Sequence, residues 1–67
     1  MHKFEIFKGN NGWFYFRLKA PNGEIICASE GYSSKQGAQN GVAAVKQYAP
    51  TAPVYDLTPA QAGFGAR

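Results

Sequence analysis

A chain of 67 residues has room for one domain, and folding at this size hides only about 60% of the unfolded surface. Its single cysteine, Cys27, excludes an intrachain disulfide, and with one histidine, His2, it falls short of the four ligands of a structural zinc site. Seven Lys and Arg against four acids give a net charge of +3, spread over Lys3, Lys8, Arg17, Lys19, Lys35, Lys46 and Arg67, which permits a polyanionic partner without demanding one.

With disulfides and zinc excluded, oligomerisation is the remaining way to stabilise so small a core. The opening Met-His-Lys-Phe-Glu is charged and lacks the apolar run of a signal peptide. No stretch approaches the roughly 20 apolar residues of a membrane span. With the lone cysteine, this predicts a cytoplasmic protein without a membrane partner.

In chain order, Lys3 to Lys8 alternates and is rich in aromatics, which predicts a strand. Gly9-Asn10-Asn11-Gly12 is a turn, because Gly and Asn tolerate positive φ. Trp13 to Ala20 opens with four consecutive aromatics and continues in alternation, the strongest strand pattern of the chain. Pro21-Asn22-Gly23 is a hairpin turn before a third strand, Glu24 to Glu30. Ser33 with Gln36 has capping-box spacing and introduces a helix from about Ser34 to Tyr48. Ala38, Val42, Val45 and Ala49 form its apolar stripe, with Gly37, Gly41 and Ala44 as small neighbours that suit close packing on a sheet. Pro50 and Pro53 end the helix, Val54-Tyr55-Asp56-Leu57-Thr58 is a short fourth strand, and the Gly/Ala-rich 59–67 is a loose tail. Within that tail Thr58 to Gln61 mimics a helix start that Gly63 cuts short. The fold class is α+β: a three-stranded antiparallel meander, one helix on one face, then a strand, with residues 1–58 as the domain.

The Asn22-Gly23 turn predicts that Phe16, Leu18 and Ala20 share a face with Ile25 and Cys27, beneath the helix. A four-residue first loop adds Phe7 and Phe14 to that face and leaves Phe4, Ile6, Trp13, Tyr15, Arg17, Lys19, Ile26, Ala28 and Glu30 on the other. Cys27 then reads as a buried small hydrophobe. One helix cannot cover two partly apolar faces, so the second face either pairs aromatics for stability alone or is an interaction surface.

No Ser-His-acid or Cys-His set can be assembled, and Glu5, Glu24, Glu30 and Asp56 read as dispersed, solvated acids. Gly9-Asn10-Asn11-Gly12 lacks phosphate-loop spacing and a following helix. We therefore expect no enzyme, no cofactor, no metal and no small-molecule substrate. The expected function is that of a small dimeric module acting through self-association or protein binding. Trp13, Tyr15, Arg17 and Lys19 share one face of the central strand, where aromatics stack on bases and cations neutralise phosphates, so nucleic acid is the alternative ligand.

Leu18-Lys19-Ala20, Asn22-Gly23-Glu24-Ile25-Ile26, Ala28-Ser29-Glu30-Gly31-Tyr32-Ser33-Ser34-Lys35, Gly37-Ala38 and Asn40-Gly41, with Phe4-Glu5-Ile6-Phe7 before a Gly-Asn turn, together resemble the YegP-like family of small bacterial proteins of uncharacterised function. The resemblance spans about residues 3 to 48. It implies a three-strand, helix, strand unit, two of which build one sheet and exchange their C-terminal strands. For a chain with one such unit it implies a homodimer in which Val54 to Thr58 is the exchanged strand. It implies no catalytic residues.

Overall fold

The computed structural model describes residues 1–59, ordered as β1 (Lys3–Lys8), β2 (Phe14–Lys19), β3 (Ile25–Ala28), α1 (Lys35–Tyr48) and a 3-10 turn at Ala49–Thr51. The strands form one antiparallel sheet in the order β1-β2-β3, so the expected meander and α+β class are present.

The first turn corrects the expected faces. The Gly9 N–H donates to the Trp13 carbonyl at 2.8 Å and the Gly12 N–H to the Gly9 carbonyl at 3.0 Å, with Gly12 at φ +86°. Lys8 pairs with Phe14, so the loop includes Trp13 and has five residues instead of four. That single extra residue turns β1 over, because side chains alternate with period two. Phe4 and Ile6 stand opposite Leu18 and Phe16 on the helix side, and Phe7 stands opposite Tyr15 on the other.

The second turn closes through Ala20 N–H to the Glu24 carbonyl, 2.8 Å, with Gly23 at φ +90°. Lys19 pairs with Ile25, but the register then shifts so that Leu18 pairs with Cys27. Cys27 lies on the helix side as expected, whereas the shift places Ile25 opposite Lys19, away from Leu18's face. Beyond β3 the chain bonds to β2 again, where Phe14 and Tyr32 exchange both backbone hydrogen bonds at 2.8 and 2.7 Å.

Helix α1 starts one residue later than a Ser33–Gln36 box requires. Ser34 is the N-cap, its Oγ accepting from Gly37 N–H at 3.0 Å. The third helical residue is then a glycine with no side chain to reach back, and Gln36 donates to Asn40 instead, at 2.9 Å. The small stripe does bring α1 close to the sheet: a Cβ on Gly41 would lie 2.8 Å from the Phe16 ring and collide with the Tyr32 hydroxyl. Phe16 meets Phe4 edge-on at 6.0 Å and stacks on Tyr32 at 6.2 Å.

The core is small. Among the described residues only Phe16 (5% exposed) and Ala38 (0%) are buried hydrophobics. Full burial of a phenylalanine contributes about 1.5–3 kcal/mol, while ordering each residue's backbone costs about 1–2 kcal/mol. One chain's interior is therefore thin for its length. α1 lies over β2 and β1 but not β3, so Cys27 is exposed and its expected burial is corrected. Ala49, at the end of the expected stripe, is exposed as well.

The segment expected as a fourth strand, Val54 to Thr58, forms no strand and has no strand partner among the described residues. Val54, Tyr55 and Leu57 are 92%, 79% and 90% exposed. Asp56 accepts from the Thr58 N–H at 3.0 Å and its hydroxyl at 2.6 Å, closing the chain into a local turn. The expected tail, from Ala60 onward, and the incipient helix start at Gln61 lie outside the described residues. No helix among them is long and apolar enough to cross a membrane.

Candidate functional site

The sheet face opposite α1 carries the residues singled out from sequence, and the turned-over β1 adds three more. Tyr15, Arg17 and Lys19 project there from β2, facing Phe7, Glu5 and Lys3 across the ladder. Phe7 and Tyr15 stack at 5.6 Å with an interplanar angle of 19°. The Arg17 guanidinium lies over the Phe7 ring, 4.7 Å from its centroid, a cation–π contact. Trp13 sits at the other end beside Tyr15. The result is a continuous row of Trp13, Tyr15, Phe7 and Arg17.

Glycine seats hold two of these rings flat. A Cβ on Gly31 would come within 2.7 Å of the Trp13 ring and 3.3 Å of Tyr15, and one on Gly9 within 2.8 Å of Tyr15. Asn11 ties the turn to Tyr15: its Nδ2 donates to the Tyr15 hydroxyl at 2.7 Å and its Oδ1 accepts from the Trp13 backbone N–H at 3.0 Å. The rings are thus positioned before any ligand arrives, which lowers the ordering cost of binding.

Glu5 is the hub of the charged half. Its Oε1 accepts from Arg17 Nε at 2.8 Å and lies 3.9 Å from Lys19 Nζ, while Oε2 lies 3.6 Å from Lys3 Nζ. The Arg17 hydrogen bond, helped by the charges of Lys19, Arg17 and Lys3 against a smaller desolvation, lowers the Glu5 pKa. One carboxylate among three cations leaves a local charge of +2.

Sequence reasoning placed Trp13, Tyr15, Arg17 and Lys19 together, and the structure does too. It missed Lys3, Glu5 and Phe7 because their face depends on the length of the first loop. Val54, Tyr55, Asp56, Leu57 and Thr58, the other group singled out, lie outside the strands and are exposed. Among the described residues there is no concave pocket and no cluster of three or more metal-ligating side chains.

Residues 10–56 match the family described as Domain of unknown function (DUF1508). The chain belongs to this family. A UPF0339 protein of Agrobacterium fabrum, Atu5359, is 45% identical over 60 residues, 90% of this chain and 97% of its own length. UPF0339 protein YegP of Yersinia pestis is 50% identical over 54 residues, 81% of this chain but 48% of its own length, so the chain spans about half of that relative. Among solved structures, the solution structure of a Haloferax volcanii protein superposes with a TM-score of 0.77 at 39% identity, covering 82% of this chain and 93% of its own. That of ATU0232 from Agrobacterium tumefaciens gives 0.73 at 40%, covering 85% and 92%.

The matched DUF1508 span holds Trp13, Tyr15, Arg17, Lys19 and the first residues of the expected fourth strand, Val54 to Asp56. Lys3, Glu5 and Phe7 fall before it. The part of the face contributed by β1 is thus read from this chain's own register.

Proposed function

We propose that this DUF1508 domain is a non-enzymatic interaction module that works as a homodimer, each copy handing its segment from Val54 to Thr58 to the other's sheet. The observation that carries the reading is the coexistence, among the described residues, of a core of two buried residues with a segment whose Val54, Tyr55 and Leu57 are largely exposed. Burying such side chains contributes about 1.5–3 kcal/mol each, and two unpaired strand edges are at hand. The Yersinia relative, about twice as long as the match, has the length for two such units in one chain.

Chemistry favours the β1 edge of the partner as acceptor. β1 is a regular six-residue strand with Phe4 and Ile6 on the helix side and Lys3 and Glu5 on the other. The incoming segment alternates to match, Tyr55 and Leu57 on one side, Val54, Asp56 and Thr58 on the other. Asp56 would then meet Lys3, which is 60% exposed. β3 is shorter, has a register shift, and is flanked by Glu24 and Glu30, which repel Asp56.

Size-exclusion chromatography with light scattering tests the dimer, and a monomer at micromolar concentration overturns it. Truncation after Ala49 should abolish both dimer and cooperative unfolding; a stably folded product would refute the exchange.

A further inference from the structure

We propose that the sheet face opposite α1, which no described element covers, binds single-stranded nucleic acid, with Trp13 stacking on an unpaired base and Arg17 and Lys19 neutralising phosphates. The proposal goes beyond the dimer and holds with or without it: the exchanged segment would bring Asp56 to Lys3 at the β1 edge, and the ligand uses Trp13, Arg17 and Lys19, which that segment leaves free.

Three features select the ligand. The first is ring presentation. Trp13 is 49% exposed and Phe7 37%, and the glycine seats at Gly9 and Gly31 leave no side chain between the Trp13 and Tyr15 rings and the sheet. Base–aromatic stacking tolerates sequence, because every base has a π-face. The second is charge. The local charge, +2 in the single chain and +1 with Asp56 of a second copy beside Lys3, complements a phosphodiester backbone and argues against a second copy packing face to face, which would oppose two like-charged surfaces. The third is shape. Bases inside a duplex show only their edges to a protein, whereas a flat sheet offers rings to bases that are already unstacked. From Trp13 to Lys19 the face runs about 20 Å at roughly 3.3 Å per residue, a length that suits two or three stacked nucleotides.

Glu5 opposes the ligand's charge yet has a role in the arrangement. By accepting from Arg17 Nε it holds the guanidinium over Phe7. Its carboxylate also limits general attraction for polyanions, so selectivity rests on Trp13.

Trp13 is the chain's only tryptophan, so its fluorescence reports the contact directly. The full chain is titrated at low salt with oligothymidylate and oligouridylate, with a DNA duplex, and with heparin as a polyanion without bases. The single strands should quench Trp13 and bind at least tenfold more tightly than the duplex. Their log K against log salt should have a slope near −1.4, from the Arg17 and Lys19 contacts at roughly 0.7 each. Labelled-oligonucleotide anisotropy should show Trp13→Ala weakening binding about tenfold, the scale of one lost base stack. Lys19→Gln should flatten the salt slope by about 0.7. Glu5→Gln should tighten binding about threefold, as removing a unit charge several ångströms from phosphate does in a water-like dielectric.

Should Trp13→Ala fail to fold, Trp13→Phe and Lys19→Gln carry the test, the first keeping a ring and most of the affinity. No salt-sensitive binding to either single strand overturns the proposal. So does equal binding of the duplex, or heparin binding equal to the single strands with no loss in Trp13→Ala, which would make the face a general polyanion patch.

Discussion

Glu5 and Arg17 face each other across the β1–β2 ladder, and the guanidinium that donates to Glu5 at 2.8 Å also covers Phe7 at 4.7 Å. One ion pair therefore joins the charged half of the open face to its aromatic half. Neither group is deeply buried, so screening limits what the pair adds to stability. Its larger effect is on position.

The pair should be visible in the pH dependence of stability. The Glu5 pKa in the folded chain is lowered by Arg17 first. A carboxylate with a depressed folded pKa contributes stability that is fully present above its unfolded value and lost as pH falls through the folded one. Thermal unfolding from about pH 6 down to about pH 3 should show the wild type above Glu5→Gln at the upper end, the gap closing below about pH 4.5 as the carboxylate protonates. Asp56, lowered by its Thr58 hydrogen bonds, is present in both proteins and cancels. A gap that stays constant with pH would mean that Glu5 acts through packing alone.

Two helix glycines should respond in opposite ways. Gly→Ala inside a helix gains up to about 1 kcal/mol in propensity. At Gly41 the new methyl would lie 2.8 Å from Phe16, the one large buried side chain among the described residues, and would collide with Tyr32 as well. Overpacking of this kind costs about 1–3 kcal/mol, so Gly41→Ala should be net destabilising and Gly41→Val more so. At Gly37 the nearest atoms belong to Tyr32 at 3.2 and 3.3 Å, a tight contact that a small shift relieves. Gly37→Ala should be neutral or stabilising. Urea denaturation of the three variants decides it, and destabilisation at Gly37 equal to that at Gly41 would contradict the close approach at Phe16.

The sequence was most legible where backbone chemistry is local. Gly12 and Gly23 sit at positive φ in the two turns they mark, and Ser34 caps α1 beside the expected Ser33. Faces were harder to read. An aromatic such as Trp13 has strand propensity, yet the Gly9–Trp13 hydrogen bond draws it into the loop, and the whole of β1 turns over. In β3 the adjacent Ile25 and Ile26 are both apolar, so their pattern cannot locate the register shift. Cys27 looked buried because alternation put it under the helix. Helix α1 lies over β1 and β2 and leaves β3 uncovered. Loop length and helix placement are tertiary quantities, and hydrophobic pattern alone does not contain them.

Leu57 separates the exchanged dimer from a free monomer. In the single chain it is 90% exposed, so Leu57→Ser should leave stability within about 0.5 kcal/mol, as surface changes do. In the exchanged form it packs beside Phe4 and Ile6, and removing it should cost about 2–4 kcal/mol and weaken the dimer. Chemical denaturation at two protein concentrations reads both, since dimer stability depends on protomer concentration. A neutral Leu57→Ser would remove the main support for exchange.

Cys27 reports which edge receives the segment. It is exposed on the helix side of β3, where α1 does not reach. If the partner's segment lies along β1, β3 stays open and the Cys27 thiol should react with a thiol reagent at nearly the rate of a small thiol, in the dimer as in denatured chain. If the segment lies along β3 instead, its backbone and either Tyr55 or Leu57 would cover the Cys27 side, and the reaction should slow at least tenfold under native conditions while remaining fast in denaturant. The two results differ although both forms are dimers, so the thiol decides between edges after light scattering has decided on association. The charges set the expectation: Asp56 beside Glu24 and Glu30 is repelled, Asp56 beside Lys3 is attracted. A fast native reaction, retained at concentrations where the dimer is complete, is the outcome that the β1 edge requires.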